Sequence, residues 1–360
     1  MTVRVIALES CSATHLLSVS RKRSQSLTEL LHEDPQLQLG VGLNFTHTRQ
    51  ELSIQVRAWD AKKLRFSSPM TQALDLGKNM AGYAKNLRKR VQNKGHKVGF
   101  CVICGDRGSL SRDHVPPKGC NNLNDVEIMA LLPSENSAKV GTTSQGGAHY
   151  RTLCGTCNST RLGAQYDPAL IDLSNAITAL ALGAKRRKIA LPQTIYPFIK
   201  PQRIARAVVG HVLAGLAVEE TNQGLLSSPI SDSLRSYFLN DAADFPENLE
   251  IYYWVYPSRR QVLIKNIGKS LINSVGKREV VFGHIFKFLP LGFWLVFDGL
   301  NQESDLVKPL IKDKTMALDG VDQVEIDLHR VPPLDFPEGP KGNEFIALNS
   351  DYAAHTRDKI

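Results

Sequence analysis

The sequence lacks any run of eighteen apolar residues, the minimum expected for a membrane-spanning helix. The best candidate, VVFGHIFKFLPLGFWLVFDGL from Val280, is interrupted by His284, Lys287 and Pro290 and therefore predicts strands or core. A chain of 360 residues, 42% of them hydrophobic and 22% charged, is also too long for a disulfide-stapled mini-protein and too apolar for a short disordered effector. With these classes excluded, we expect a globular protein that does not associate with a membrane.

A secretory signal is also missing from the N-terminal stretch MTVRVIALESCSATHLL, which has an arginine in its apolar part and no convincing cleavage site. We therefore expect a reducing, cytoplasmic setting, bacterial or phage-encoded, in which six cysteines indicate free thiols or metal ligands and not disulfides. The 44 Lys and Arg against 35 Asp and Glu give a net charge of +9, which favours a polyanionic partner.

The chain divides into four regions, and together they predict an α+β fold. Residues 1–97 form a mixed α/β region with a hairpin in LNFTHTRQELSIQVRAW and a basic helix over 72–95. Residues 98–190 hold most of the cysteines, and 198–330 combine a helix from Pro201 with an antiparallel sheet of about four strands. Residues 331–360, rich in proline, predict a loop-rich tail.

Two CxxC pairs stand out, Cys101 with Cys104 and Cys154 with Cys157. Four thiolates on two tight knuckles match tetrahedral zinc, and the glycines at 105 and 155 suit sharp turns. Four buried reduced cysteines are the simpler alternative, and a redox CxxC is less favoured because neither pair has a βαβ context. Cys11 and Cys120 fall outside the pattern and predict free thiols.

Between the knuckles, SRDHVPPKG places Asp113 beside His114. A carboxylate that holds Mg²⁺ or Mn²⁺ next to an imidazole that takes a proton from water suits metal-assisted phosphodiester hydrolysis. Consecutive residues of a regular strand point to opposite faces, so a bulge or a strand end is needed to bring both to one centre. A surface or hydrogen-bonded Asp-His pair is the alternative.

The order CxxC, RDHVPPKG, LCGTCN resembles the HNH endonuclease family over about residues 100–167. The resemblance implies a small zinc-stapled ββα-metal core with Asp113 as a ligand of the catalytic ion, His114 as general base and Asn158 as the final ligand. Structural zinc and catalytic Mg²⁺ or Mn²⁺ are the implied cofactors, and 5′-phosphate and 3′-hydroxyl ends are the implied products.

Two features depart from the family pattern. The middle Asn that usually braces the loop of the base is replaced by AHYRTLC, with His149 as the nearest polar candidate, and 49 residues separate Cys104 from Cys154. Asp167 is an accessory ligand candidate, with a solvated acid or a helix N-cap as alternatives.

Nucleic acid, DNA in the first place, is the expected partner of this core. Phosphate contacts are assigned to basic residues within the motif and in a cluster on each side of it, although solvated surface charges or a solvated helix face explain them as well. These residues are Arg88, Lys89, Arg90, Arg112, Lys118, Lys185, Arg186 and Arg187.

Two other functions stay open. The first is a non-catalytic zinc-ribbon protein that binds nucleic acid. The second adds a ligand or partner sensor in residues 200–330 that controls the nuclease, as in restriction or phage-defence effectors. Cleavage of both strands by an enzyme with one site would favour a homodimer.

Overall fold

The computed structural model describes residues 6–7, 39–42, 55–58, 91–131, 141–225, 227–272, 278–300, 306–349 and 352–359. Two compact units are present, one made of Met1–Ala7 with Ala81–Ile360 and the other of Leu8–Met80. The predicted regions 98–190 and 198–330 therefore fall within the same unit. Most of the predicted basic helix, including Arg88, Lys89 and Arg90, lies outside the described residues, as does Cys11.

The strands are numbered in chain order. They are β1 (Ile6–Ala7), β2 (Leu39–Gly42), β3 (Gln55–Ala58), β4 (Val98–Phe100), β5 (Arg107–His114), β6 (Val126–Ala130), β7 (Gly141–Ser144), β8 (His149–Cys154), β9 (Thr194–Ile195), β10 (Phe198–Ile199), β11 (Leu249–Val255), β12 (Val262–Ile272), β13 (Arg278–Phe288), β14 (Leu291–Phe297), β15 (Lys308–Pro309), β16 (Asp322–Gln323), β17 (Ile326–Asp327), β18 (Ile346–Leu348) and β19 (Ala353–Asp358).

The helical elements are fewer. A 3-10 turn covers Lys118–Cys120, and a π-helix over Thr156–Tyr166 continues directly into α1 (Asp167–Arg187). The remaining helices are α2 (Pro201–Ala214), α3 (Glu220–Gln223) and α4 (Pro229–Leu239). Among the described residues, none of the helices is both long enough and apolar enough to cross a membrane.

A large antiparallel sheet dominates the first unit, which gives the chain a mixed α+β architecture. The described strands form a ten-stranded sheet whose main path runs β15-β11-β14-β13-β12-β19-β6-β7, with β18 paired to β12 and β1 paired in parallel to β18. The run from Val280 forms β13 and β14, and β14 is buried at every position. A strand that is covered on both faces needs apolar residues at consecutive positions. This burial explains why the hydropathy of the segment resembles that of a membrane span.

Residues 331–360 form two strands of the large sheet, whereas the sequence predicted a loop-rich tail. Within them, β18 and β19 both pair with β12, and β19 also pairs with β6. The prolines of this segment precede the strands and do not interrupt them. Because β6 and β7 come from the insertion between the two knuckles, the sheet joins the cysteine-rich region to the C-terminal region.

Helix α2 is the most buried helix among those described, with nearly every residue inaccessible to solvent. It contacts α1, α4, β8 and β13. Gly210 permits this packing, because a Cβ atom there would lie 2.6 Å from Phe238 and 2.8 Å from Leu162. A helix that is apolar almost all round is buried in this way.

In the second unit, β2 and β3 pair antiparallel, with Leu39 opposite Ala58 and Gly42 opposite Gln55. Strand β3 lies within the stretch predicted to form a hairpin, but its partner β2 precedes that stretch, and the predicted first strand from Leu43 lies outside the described residues.

Candidate metal and nuclease site

The four cysteines of the two CxxC pairs meet at one point. Cys101 and Cys104 lie in the turn between β4 and β5, and Cys154 ends β8 just before Cys157 enters the π-helix. Their Sγ atoms all lie within 4.8 Å of one another, and those of Cys104 and Cys154 are 3.8 Å apart. A tetrahedral Zn²⁺ with Zn–S bonds of ~2.3 Å requires S–S separations of about 3.8 Å. The cluster is therefore compatible with structural zinc.

The glycines of the two knuckles have different backbone conformations. Gly105 has a φ of +81°, which favours glycine, and its amide donates to the carbonyl of Cys101 at 2.9 Å. Gly155 has a helical φ of −58°, so the expectation that both turns require a glycine is correct only for Gly105. In the second knuckle the amide of Cys157 donates to the Sγ of Cys154 at 3.5 Å.

The antiparallel pair formed by β5 and β8 carries the Asp-His pair at the end from which residues 115–148 connect the two strands. Asp113 lies opposite Tyr150, and His114 lies opposite His149. The register shifts between Ser111 and Asp113, before the pair and not within it. Strand alternation is therefore kept across Asp113 and His114, so Asp113 is buried whereas His114 remains partly exposed. Of the two arrangements that could bring both side chains to one centre, the bulge does not fall within the pair, and the strand end is the one present, because β5 ends at His114.

His114 is held by the loop that enters β8. Its Nε2 atom lies 3.1 Å from the carbonyl oxygen of Gly146, and its ring lies 5.6 Å from the ring of His149. Because a carbonyl only accepts hydrogen bonds, Nε2 must carry the proton in this contact. In the neutral ring, Nδ1 then has the free lone pair.

Asn122, which the sequence analysis did not single out, braces this loop. Its side-chain amide donates to the carbonyls of Pro116 and Ala148, at 2.7 and 2.8 Å. Its Oδ1 accepts from the amide of Ala148 at 2.8 Å and from Nε2 of Gln261 at 3.0 Å. Asn122 thus ties the segment that follows His114 to the loop that contacts it.

Two further side chains shape the same loop. Asp125 accepts a hydrogen bond from the amide of Gly146 at 2.9 Å, and the hydroxyl of Ser144 donates to the carbonyl of Gly147 at 2.6 Å. Nδ1 of His149 lies 3.0 Å from that hydroxyl. Burial lowers the pKa of His149, the contact with the carbonyl of Gly147 opposes this shift, and the positive charges of Arg112 and Lys94 act in the same direction as burial. His149 is therefore a neutral ring in a positively charged neighbourhood.

Asp113 belongs to a buried chain of ionisable groups. Its Oδ2 lies 3.5 Å from Nδ1 of His211, whose Nε2 lies 2.9 Å from Oδ1 of Asp167. Burial alone would lower the pKa of His211, but the two carboxylates outweigh it and raise the pKa to about 10. Burial raises the pKa of Asp113, and the charge of His211 opposes this rise. An imidazolium between two acids is the arrangement that these contacts favour.

Asp167 is therefore neither a solvated acid nor a helix N-cap, the two alternatives to an accessory ligand. It is 8% exposed, begins α1 and accepts the hydrogen bond of His211. His211 lies inside the apolar run VVGHVLAG of α2, and that isolated polar ring is the sequence signal that could have identified it.

Asn158, in the first turn of the π-helix, reaches β5 directly. Its Nδ2 donates to the hydroxyl of Ser111 at 2.9 Å and to the carbonyl of Arg112 at 2.8 Å. Both contacts use the amide nitrogen of Asn158, so its side-chain oxygen is still available as an acceptor. One of the two contacted residues, Arg112, directly precedes Asp113 on β5. The helix and the strand that carry the predicted ligands are thus joined.

The donor set around Asp113 suits a hard cation better than zinc. Asp113 can supply the carboxylate oxygen that does not face His211, and Asn158 can supply an amide oxygen. Mg²⁺ is usually bound by one or two carboxylates and several waters, so two protein oxygens fit it. Across the described segments, the four-cysteine cluster is the one group of three or more His, Cys, Asp or Glu side chains found in metal-binding proximity.

The described basic residues predicted to bind nucleic acid are all exposed. Arg112 and Lys118 lie at the end of the hairpin, whereas Lys185, Arg186 and Arg187 lie in the last turn of α1. A rise of about 1.5 Å per residue puts Lys185 about 27 Å from Asp167 along the helix axis. Cys120 lies outside the cluster, and burial raises the pKa of its thiol to about 12, as suits an inert thiol.

Comparison with protein families, with curated proteins and with solved structures finds no match to this chain.

Proposed function

We propose that this chain is an HNH-type, metal-dependent endonuclease that hydrolyses phosphodiester bonds in nucleic acid, with DNA as the first substrate to test. The observation that carries the proposal is the hydrogen bond between Nε2 of His114 and the carbonyl of Gly146. It orients the ring at the end of β5, a strand that also bears Asp113 and is joined to Asn158. An oriented imidazole with a free Nδ1 is what a general base requires.

In this mechanism, Nδ1 of His114 takes a proton from the water that attacks the scissile phosphate. The oxygens of Asp113 and Asn158 would hold Mg²⁺ or Mn²⁺, which would neutralise charge on the phosphate and the leaving oxygen, worth several kcal/mol of barrier. Asn122 keeps the loop that contacts His114 in place. Structural zinc at the four cysteines holds the strand end of the hairpin against the π-helix.

Charge around the hairpin supports a polyanionic substrate. Arg112 and Lys94 are exposed and lie close enough to His149 to lower its pKa. The basic end of α1 lies about 27 Å from Asp167 by helix rise, which is within one turn of a duplex, ~34 Å.

A cleavage assay tests the proposal. Purified wild-type protein, His114→Ala and the exposed-histidine control His329→Ala are incubated with supercoiled plasmid, single-stranded DNA and RNA in Mg²⁺, Mn²⁺ or chelator. Loss of a general base lowers rates by roughly 10²–10⁴-fold. We expect that loss in His114→Ala with unchanged zinc content, and none in His329→Ala. Equal cutting by His114→Ala and wild type would refute the mechanism.

A non-catalytic zinc protein that binds nucleic acid is the second candidate function. The observation that favours it is the burial of Asp113, which is 4% exposed and lies against His211 as a structural ion pair would. It predicts DNA binding with a steep salt dependence and no cleavage in either metal. The same protein preparations distinguish the two functions when binding is measured beside cleavage.

A further inference from the structure

We infer that His211, from helix α2, is a positioning residue that fixes the carboxylate of Asp113 for the catalytic ion. The inference rests on the proposed function, because the ligand role of Asp113 comes from it. It adds a residue from outside the stretch that resembles HNH enzymes and makes α2 part of the nuclease site.

The geometry of the His211 ring leaves it little freedom. Its Nε2 is 2.9 Å from Oδ1 of Asp167, and Phe286 packs against the ring with centroids 5.9 Å apart. The residue is fully buried. With Nε2 bound to Asp167 on α1, Nδ1 lies 3.5 Å from Oδ2 of Asp113, an ion-pair contact in which neither atom has a hydrogen bond among the described residues. Three elements, β5, α1 and α2, therefore determine where this carboxylate lies.

The helix that carries His211 is itself anchored to the hairpin. The hydroxyl of Thr152 on β8 donates to the carbonyl of Ala214 at 2.8 Å, and Nζ of Lys265 donates to the carbonyls of Leu213 and Gly215 at 3.3 and 2.8 Å. The C-terminal end of α2 is thus held on both sides. A rigidly mounted ring can hold one oxygen of Asp113, which leaves the second oxygen for the ion.

A purely structural bridge would show the same contacts, so stability alone does not test the inference. Groups that orient a metal ligand typically change metal affinity by 10–100-fold when they are removed. A structural residue of similar burial would lower stability without changing the affinity. Metal affinity measured at equal zinc content therefore separates the two roles.

The experiment measures Mn²⁺ binding to the zinc-loaded protein by electron paramagnetic resonance. It compares wild type, Asp113→Asn, His211→Gln and the packing control Thr221→Val, which removes a buried hydrogen bond to the carbonyl of Val218. We expect one Mn²⁺ site in wild type, its loss in Asp113→Asn, roughly tenfold or greater weakening in His211→Gln, and wild-type affinity in Thr221→Val.

The double variant His211→Gln/Asp167→Asn serves as the test if His211→Gln does not fold. It removes one buried carboxylate together with the cation, and we expect the same weakening. Wild-type affinity in the folded histidine variant would overturn the inference while the nuclease proposal stands. Absence of Mn²⁺ binding in wild type, or binding that Asp113→Asn leaves unchanged, would overturn both the ligand role of Asp113 and the inference.

Discussion

The Nε2 atom of His114 lies 3.1 Å from the carbonyl oxygen of Gly146, a residue 32 positions later in the chain. The contact depends on the tight loop between β7 and β8, in which Gly146 and Gly147 both have positive φ angles, of +72° and +102°. The two glycines differ in their surroundings, and that difference provides a matched pair of variants.

Gly147→Ala is expected to displace the loop that holds His114. A Cβ atom at this position would lie 2.2 Å from the backbone oxygen of Asn122, whereas one at Gly146 would meet nothing within 4 Å. Gly146→Ala should therefore lower the free energy of unfolding by about 1–2 kcal/mol, for its φ angle alone. Gly147→Ala should lower it by at least about 1 kcal/mol more and reduce cleavage. Denaturant titration measures the difference, and equal losses would contradict the packing described here.

Asn122→Asp is expected to weaken the brace while keeping the shape of the side chain. A carboxylate cannot donate to the carbonyls of Pro116 and Ala148 and places an extra acceptor against both. We expect a loss of about 2–4 kcal/mol in the free energy of unfolding, together with slower cleavage. The adjacent Asn121→Asp is the control, because Asn121 is exposed. A similar loss in both variants would argue against a specific brace.

Purified protein is expected to contain about one zinc per chain, bound at the four cysteines. Cys157→Ser should lose the metal and melt at a lower temperature, because structural zinc contributes about 10 kcal/mol or more of binding free energy in small zinc domains. Cys120→Ala, which removes a buried thiol outside the cluster, should keep the zinc. Elemental analysis with thermal denaturation checks both variants. Full zinc content in Cys157→Ser would contradict the assignment.

His284 is expected to make the protein sensitive to acid. Burial lowers its pKa from 6.5 to about 3, and its Nδ1 accepts a hydrogen bond from the amide of Asn266 at 2.9 Å, which requires the neutral ring. As pH falls below 6.5, the unfolded state takes up a proton that the folded state excludes until about pH 3. The folded state should therefore lose about 1.4 kcal/mol per pH unit in this window.

The comparison for His284 is the variant His284→Asn, which can accept a hydrogen bond but does not titrate. Between pH 6.5 and 4.5, the unfolding free energy of wild type should fall by about 2–3 kcal/mol more than that of the variant. Effects of acid on the zinc site are common to both proteins and cancel. Parallel pH profiles would show that His284 does not carry this sensitivity.

The four-cysteine cluster was predictable because its information is local. Each CxxC pair forms a knuckle within a few residues, and four thiols of matched spacing leave few arrangements other than one tetrahedron. The apolar run from Val280 was likewise assignable to strands or core, since its His, Lys and Pro residues exclude a membrane helix. By contrast, the pairing of β18 and β19 with β12 depends on contacts between distant segments, and proline content alone pointed to a loop-rich tail.

By itself, the sequence determined the ligand types, the order of the motif and the position of Asp113 and His114 between the two knuckles. The tertiary structure decided which way these two side chains face, because the strand register does not shift within the pair. It also brought Asn122 to the loop of His114 and His211 to Asp113. Those contacts arise where an inserted segment and a distant helix pack against the hairpin, and short-range sequence patterns carry no information about such packing.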